Sequence, residues 1–177
     1  ALYSNVNGTG NVAVGQAALY SCTSQGNVAV GKWALKSDTS GQGLTAVGDF
    51  AGYANTTGNY NTSCGNEALM YTTTGSNNTG VGRWSIFTNT TGSNNTGVGY
   101  GSLYKSTTAS NNTALGYSAL MQTTTGADNT GVGGFALAVN TTGAKNTSIG
   151  YNSMGANTTG SNNTVLGFGA LDSNTTG

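Results

Sequence analysis

The side chains that could carry out acid–base chemistry are few in this 177-residue chain, which has no histidine. The carboxylates are Asp38, Asp49, Glu67, Asp128 and Asp172. Only Asp49 and Glu67 come near one another once the chain is divided into the repeats described below. Lys32 and Arg83 fall on the repeats to either side of them. We therefore predict a solvent-exposed stripe of ion pairs, each worth little, and not the carboxylate pair of a glycosidase. No catalytic residue and no enzyme activity is expected.

Metal and thiol chemistry is also poorly supported by the sequence. Calcium-binding β-rolls need recurrent Asp in glycine-rich turns, whereas the turns here carry Asn and Thr. We expect no metal site and no cofactor. Cys22 and Cys64 lie three repeats apart, about 14 Å at the ordinary strand spacing, which is too far for a disulfide within the chain. Both are predicted to be free thiols, with Cys64 buried as a small hydrophobic residue.

Aromatic side chains are the remaining groups that could contact a ligand. They concentrate in three variable columns of the repeat, at its sixth, seventh and tenth positions. Because aromatic faces offer a large apolar surface with a polar tip, the candidates for contact with a glycan or a host receptor are Trp33, Trp84, Tyr100 and Tyr117. Packing between chains or over the edge of the coil is the alternative, and it is the interpretation that we favour.

All these residues are positioned by a repeat that occurs ten times. Its 17-residue unit reads Asn-Thr-(Ala/Gly)-Val-Gly-Tyr-x-Ala-Leu-x-x-Asn-Thr-Thr-Gly-Ser-Asn. A partial unit spans 1–10, and the units start at residues 11, 27, 44, 61, 78, 95, 112, 129, 146 and 163. Position 5 is Gly and position 13 is Thr in all ten units. This period predicts one coil stacked on the next, that is, a single β-solenoid domain over 1–177. Both ends lack a distinct cap, so we expect a fragment of a longer array.

The composition of the unit predicts an all-β fold with parallel strands. Glycine and threonine oppose helix, and no apolar residues recur at helical spacing. We predict strands at positions 2–4 and 8–10, a corner at the glycine of position 5 and a turn from position 12 to 17. Ten coils about 4.8 Å apart give a rod roughly 50 Å long. Positions 4 and 9 are predicted to face the core. Position 8 is always Ala or Ser and position 3 is small in nine of ten units, with Val165 as the exception, which suggests a seam between identical chains.

Charge and hydropathy exclude two classes of partner. Charged residues make up 6% of the chain, and five basic residues balance five acidic ones. This balance gives no electrostatic footprint for nucleic acid or an anionic membrane. No apolar run approaches the roughly 18 residues of a membrane span, so we expect no membrane insertion in this segment.

The motif Asn-Thr-Ala-Val/Leu-Gly-x-x-Ala-Leu resembles the YadA-like head repeat of trimeric autotransporter adhesins. The 17-residue form, with Asn-Thr-Thr-Gly-Ser-Asn between units, is similar to repeats in phage tail-fibre proteins. The resemblance covers essentially the whole chain. It implies a left-handed parallel β-roll that assembles as a homotrimer, lies outside the cell on a cell surface or virion, and serves attachment. Because bacteria and viruses both use such rolls, it does not distinguish the two.

The leading functional hypothesis is therefore a non-enzymatic, adhesive fibre segment whose main partner is its own chain. An ice-binding β-solenoid is the alternative, because Thr at position 13 with Ser or Thr at position 14 gives regular hydroxyl columns. A polysaccharide-cleaving tailspike is a weaker third. Asn-Thr-Thr sequons recur in the turns at Asn55, Asn89, Asn140, Asn157 and Asn174. They are acceptors in a host that glycosylates, or only turn-forming residues, which is the interpretation that we favour.

Overall fold

The computed structural model describes residues 1–176 and contains one short strand in each repeat. The strands are β1 (Val12–Val14), β2 (Val28–Val30), β3 (Thr45–Val47), β4 (Thr62–Cys64), β5 (Thr79–Val81), β6 (Thr96–Val98), β7 (Thr113–Leu115), β8 (Thr130–Val132), β9 (Thr147–Ile149) and β10 (Thr164–Leu166). They form one parallel sheet in chain order. Each residue pairs with the same repeat position of the next coil, as in Thr96 with Thr113. The predicted all-β, parallel β-solenoid is confirmed, with about nine turns of about 17 residues.

The second predicted strand, at positions 8–10, is wrong. Positions 7 and 9 have positive φ throughout the described coils, for example 60° at Trp84 and 51° at Ile86. Left-handed residues on both sides of position 8 turn the chain tightly, so an extended segment cannot form. The backbone still bonds to the next coil, since the Leu103 N–H donates to the Ala119 carbonyl at 3.0 Å. In most coils the side chain of position 9 is fully buried despite this unfavourable conformation, as Leu103 shows.

The predicted facing of the strand is also wrong. Position 3 points into the coil, where Ala46 and Ala114 are fully buried. Position 4 points outward, and Val98 is 38% exposed. Alternation along a strand puts positions 3 and 4 on opposite faces, but it does not tell which face is inside. The interior is filled from the other wall by position 9, as predicted, and this leaves room for only a small residue on the strand.

The small-residue columns therefore pack against each other within one chain and do not form the predicted seam between chains. A Cβ added to Gly97, at position 3, would lie 2.7 Å from the Ser85 Oγ and 2.9 Å from the Ser102 Oγ, both at position 8. A Cβ on Gly80 would lie 3.2 Å from the Leu69 Cγ. Both columns stay small because the two walls of a thin coil nearly touch.

A column of buried asparagines runs through the coils at position 1, which the sequence pattern alone did not predict. The seven buried members are Asn27, Asn61, Asn78, Asn95, Asn112, Asn129 and Asn146. The Asn112 side chain is typical of the column. Its Nδ2 donates to the Gly126 carbonyl at 3.0 Å, and its Oδ1 accepts the Asn129 N–H at 2.9 Å. The column thus satisfies backbone groups that the turns leave without partners, as buried polar groups require.

Position 12 forms a second buried polar column, and Asp38 is its one charged member among the buried residues of the described chain. The Asp38 Oδ1 accepts the Gly41 N–H at 3.0 Å and the Asn55 Nδ2 at 2.9 Å, while Oδ2 has no hydrogen-bond partner within residues 1–176. Burial raises the pKa of the Asp38 carboxyl above its ordinary value, and the bonds from Asn55 and Gly41 offset this shift only in part.

We expect Asp38→Asn to raise the free energy of unfolding at neutral pH by about 1–3 kcal/mol, the usual cost of a buried polar atom without a partner. Asparagine already occupies position 12 in other coils, where the Asn55 Nδ2 donates to the Gly58 carbonyl. The folded-state pKa of Asp38 is raised, so the protonated carboxyl is the form that stabilises the folded state. This stabilisation is fully present below the unfolded-state pKa of about 3.9 and is lost as the pH rises through the folded-state pKa.

Denaturant unfolding of both proteins at acidic and neutral pH measures this effect, with the exposed Asp172→Asn as the control. The gain from Asp38→Asn should shrink as the pH falls toward the unfolded-state pKa. Equal stability of the wild type and Asp38→Asn at neutral pH would show that the buried carboxylate carries no penalty.

Candidate functional site

The outer face of the sheet carries an unbroken apolar column at position 4. Its members are Val14, Val30, Val47, Cys64, Val81, Val98, Leu115, Val132, Ile149 and Leu166. Most are exposed, and the others are half-buried. The same face carries the half-buried threonines of position 2, such as Thr96 and Thr113. Neither column contains a charged residue. The outer face of the sheet thus presents a continuous apolar and uncharged surface along the strands.

The two cysteines are free, as predicted, but the expectation that Cys64 is buried is wrong. Cys64 is exposed because position 4 faces outward, whereas Cys22 is buried in the column of position 12. The apolar column therefore contains one natural thiol, which is exposed on the surface of the single chain.

Three of the four aromatic candidates lie together. The rings of Trp84 and Tyr100 are 5.4 Å apart, and those of Tyr100 and Tyr117 are stacked at 5.2 Å. The series continues through Phe135. Trp33 is in a separate cluster with Phe50, at 4.7 Å. The four candidates thus divide between one extended aromatic ladder and one smaller group nearer the N-terminus.

The aromatic ladder contains a shallow cleft of about 150 Å³, lined by Trp84, Tyr100, Gly101, Tyr104 and Met121. Gly101 occupies position 7, where Trp84 and Phe135 stand in other coils. A Cβ added to Gly101 would come no closer than 3.6 Å, to the Ser118 Oγ. The cleft therefore exists because Gly101 has no side chain to fill it.

The charged stripe makes contacts other than the expected ion pairs. The Lys32 Nζ lies 4.5 Å from the centre of the Trp33 ring, and the Arg83 Cζ lies 4.0 Å from that of Trp84. The Glu67 Oε2 accepts the Trp84 Nε1–H at 2.9 Å. These cation–π contacts and this hydrogen bond hold the tryptophan rings in place.

The threonines of position 13 form a ladder along the rod. Each hydroxyl in the ladder donates to the threonine carbonyl of the next coil, as the Thr39 Oγ1 does to Thr56 at 2.8 Å and the Thr107 Oγ1 to Thr124 at 3.1 Å. The hydroxyl donors of the position-13 column are therefore already used within the chain. The threonines of position 2 differ, since none of their hydroxyls has a hydrogen-bond partner within residues 1–176.

Over the described part of the chain, no three His, Cys, Asp or Glu side chains gather as a metal-ligand set. Residues 1–176 also contain no helix with the length and apolar character to cross a membrane.

Taken together, the parallel sheet and the repeated coil define a β-solenoid repeat protein. Comparisons with protein-family models, with curated proteins and with solved structures gave no match. Any function must therefore be argued from the surface of the rod itself.

Proposed function

We propose that this chain is a segment of an extracellular adhesive fibre, in which identical rods associate side by side through the apolar column at position 4. The single observation that carries this proposal is that the column runs through all ten strands without a charged residue. The fibre presents its variable columns, at positions 6, 7 and 10, for attachment.

Physical chemistry supports association of the rods. A coil of about 17 residues encloses little core, and so thin a fold is marginal alone. Burying a valine or leucine side chain contributes about 1.5–3 kcal/mol when it is fully withdrawn from water. Several half-exposed members of the column would together offset the entropic cost of association. The resemblance to trimeric adhesins and tail fibres supports three chains and a left-handed coil.

The native mass measured by light scattering after size exclusion tests the proposal. We expect about 53 kDa, three times the 17.6 kDa of one chain. In the assembly, Cys64 should react with a thiol reagent much more slowly than an exposed thiol does, because it lies in the proposed seam. Cys22 is the internal control, since it should react only on unfolding.

A matched pair of variants separates assembly from folding. Val98→Glu places a charge in the column and should dissociate the assembly, while the folded coil tolerates it because Val98 already faces outward. Thr108→Glu introduces the same charge at an exposed turn position and should leave the mass unchanged. A folded wild-type monomer with a fast-reacting Cys64 would contradict the proposal.

An ice-binding face is the second candidate function. The threonines of position 2 would form this face, because the hydroxyls of position 13 already donate to the next coil. Eight threonines stand in line from Thr45 to Thr164, one in each successive strand. Their hydroxyls are free within residues 1–176, and the methyl groups of position 4 lie beside them. Only a monomer could offer this face to ice, so the native mass also separates the two candidates. Thermal hysteresis by a monomer, abolished by Thr96→Tyr, would replace the fibre proposal with this one.

A further inference from the structure

We propose that the cleft at Trp84, Tyr100, Gly101, Tyr104 and Met121 binds an acidic sugar, such as a uronic acid unit of an anionic polysaccharide. This inference rests on the attachment role proposed above and names the ligand class for it. It uses positions 6, 7 and 10, which lie beyond the position-5 corner from the apolar column.

The cleft occupies the place of the side chain that Gly101 lacks. The rings of Trp84 and Tyr104 both line it and contact each other edge to face, with their centres 6.1 Å apart. The other coils with Trp or Phe at position 7 fill this space with their own side chain. A pyranose ring has an apolar C–H face, which suits an aromatic wall.

The walls of the cleft are held before any ligand arrives. The Trp84 indole is fixed by its hydrogen bond to Glu67 and by the Arg83 guanidinium stacked on it. Tyr104 is fixed by the parallel stacking of its ring on Phe87 at 5.0 Å. A preformed site loses less conformational entropy when it binds.

Two of the residues that line the cleft carry a hydroxyl group, which favours a sugar over a purely apolar ligand. Over residues 1–176, the hydroxyls of Tyr100 and Tyr104 have no hydrogen-bond partner, so both are available to ring hydroxyl groups. Such polar groups, few in number and set in an apolar site, are what orient a small ligand.

Charge at the rim favours an acidic sugar. The Arg83 Cζ lies 4.0 Å from the centre of the Trp84 ring, and none of the side-chain N–H groups of Arg83 is hydrogen-bonded within the described coils. Lys105 is exposed and follows Tyr104 directly. Two of the five basic residues of the chain are therefore sequence neighbours of residues that line the cleft. A guanidinium pairs well with a carboxylate, which can accept two parallel hydrogen bonds from it.

Tryptophan fluorescence tests the inference in the full chain. Trp33→Phe leaves Trp84 as the only tryptophan, and phenylalanine already occupies the same position in other coils. We expect sodium glucuronate to change the Trp84 emission saturably, with an affinity at least about tenfold higher than that of glucose, which corresponds to one ionic hydrogen bond. Sodium acetate controls for the carboxylate alone.

Two variants locate the site. Gly101→Phe fills the cleft and should abolish the response to glucuronate. It should still fold, because Phe50 and Phe135 hold the same position at φ of 57° and 58°, close to the 63° of Gly101; circular dichroism and the melting temperature check this. Arg83→Gln should weaken glucuronate binding about tenfold and leave glucose binding unchanged.

Any one of three results would overturn the inference. The first is the absence of a saturable response to glucuronate, and the second is equal affinity for glucuronate and glucose. The third is an Arg83→Gln variant that binds glucuronate as tightly as the wild type does. The fibre proposal fails separately, since it depends on the native mass and on Cys64. A folded assembly that does not bind glucuronate would reject the proposed sugar site and leave the fibre proposal standing.

Discussion

Replacing Asn112 with alanine should lower the free energy of unfolding by about 2–6 kcal/mol, since it leaves two buried backbone groups without partners at about 1–3 kcal/mol each. The groups are the Gly126 carbonyl and the Asn129 N–H, which the Asn112 side chain satisfies at 3.0 and 2.9 Å. Native domains are stable by only about 5–15 kcal/mol, so this single change removes a large share.

Denaturant unfolding followed by circular dichroism measures the loss. Thr108→Ala is the matched control in the preceding coil, because Thr108 is exposed and loses no buried contact. Its effect should stay within about 0.5 kcal/mol. If Asn112→Ala proved as mild as Thr108→Ala, the buried asparagine column would not be what holds the coils together.

Gly116→Ala should be more damaging still, with a loss above about 4 kcal/mol or failure to fold. At φ of 138°, a Cβ on residue 116 would lie 2.6 Å from the Gly133 carbonyl oxygen and 2.7 Å from its carbon. Both are backbone atoms of the next coil and cannot move aside without breaking the sheet pairing between β7 and β8. The invariant glycine of position 5 is therefore explained by the close stacking of coils as well as by backbone conformation.

Gly167→Ala separates these two causes. Gly167 has nearly the same φ, 131°, but an added Cβ there would meet only the Ala170 Cβ, at 3.6 Å. Its cost should be limited to the backbone strain of about 1–3 kcal/mol. Thermal melts of the two variants give the comparison, and equal losses would mean that strain, and not the clash between coils, accounts for the invariant glycine column.

These expectations divide the repeat into an inner part and an outer part. Positions 1, 3, 5, 8 and 9 hold the coil together, and their residue types vary little. Position 6 is polar in the first five coils and aromatic in four of the last five, with Gly134 as the exception. Since outward side chains at this position are free of packing constraints, the two halves of the rod present different surfaces. The proposed sugar cleft lies where this change begins.

Much of the architecture followed from the sequence because a stacked coil repeats its backbone contacts at every period. The period of 17 predicted the parallel solenoid, and position 9 predicted its core. The free state of both cysteines followed from the same spacing, since three coils separate Cys22 from Cys64.

Other features were decided only by the tertiary structure. The alternation of side chains along a strand predicted that Ala114 and Leu115 face opposite sides of the sheet. The narrow space beside Leu120 inside the coil decided that the smaller residue, Ala114, is the one that faces the interior. The turns around position 8 depend on positive φ at non-glycine residues, such as Ile86, which local preference alone disfavours.

The buried asparagines show the same division. Asn112 could not be assigned to the interior from its polarity, because its burial is favourable only when the neighbouring coils supply Asn95, Gly126 and Asn129 as partners. The sequence by itself determined the length of the repeat and the residue types that recur in it, because both are read directly from the order of the residues. The tertiary structure decided which side of each strand is inside, because that depends on how closely the two walls of the coil approach.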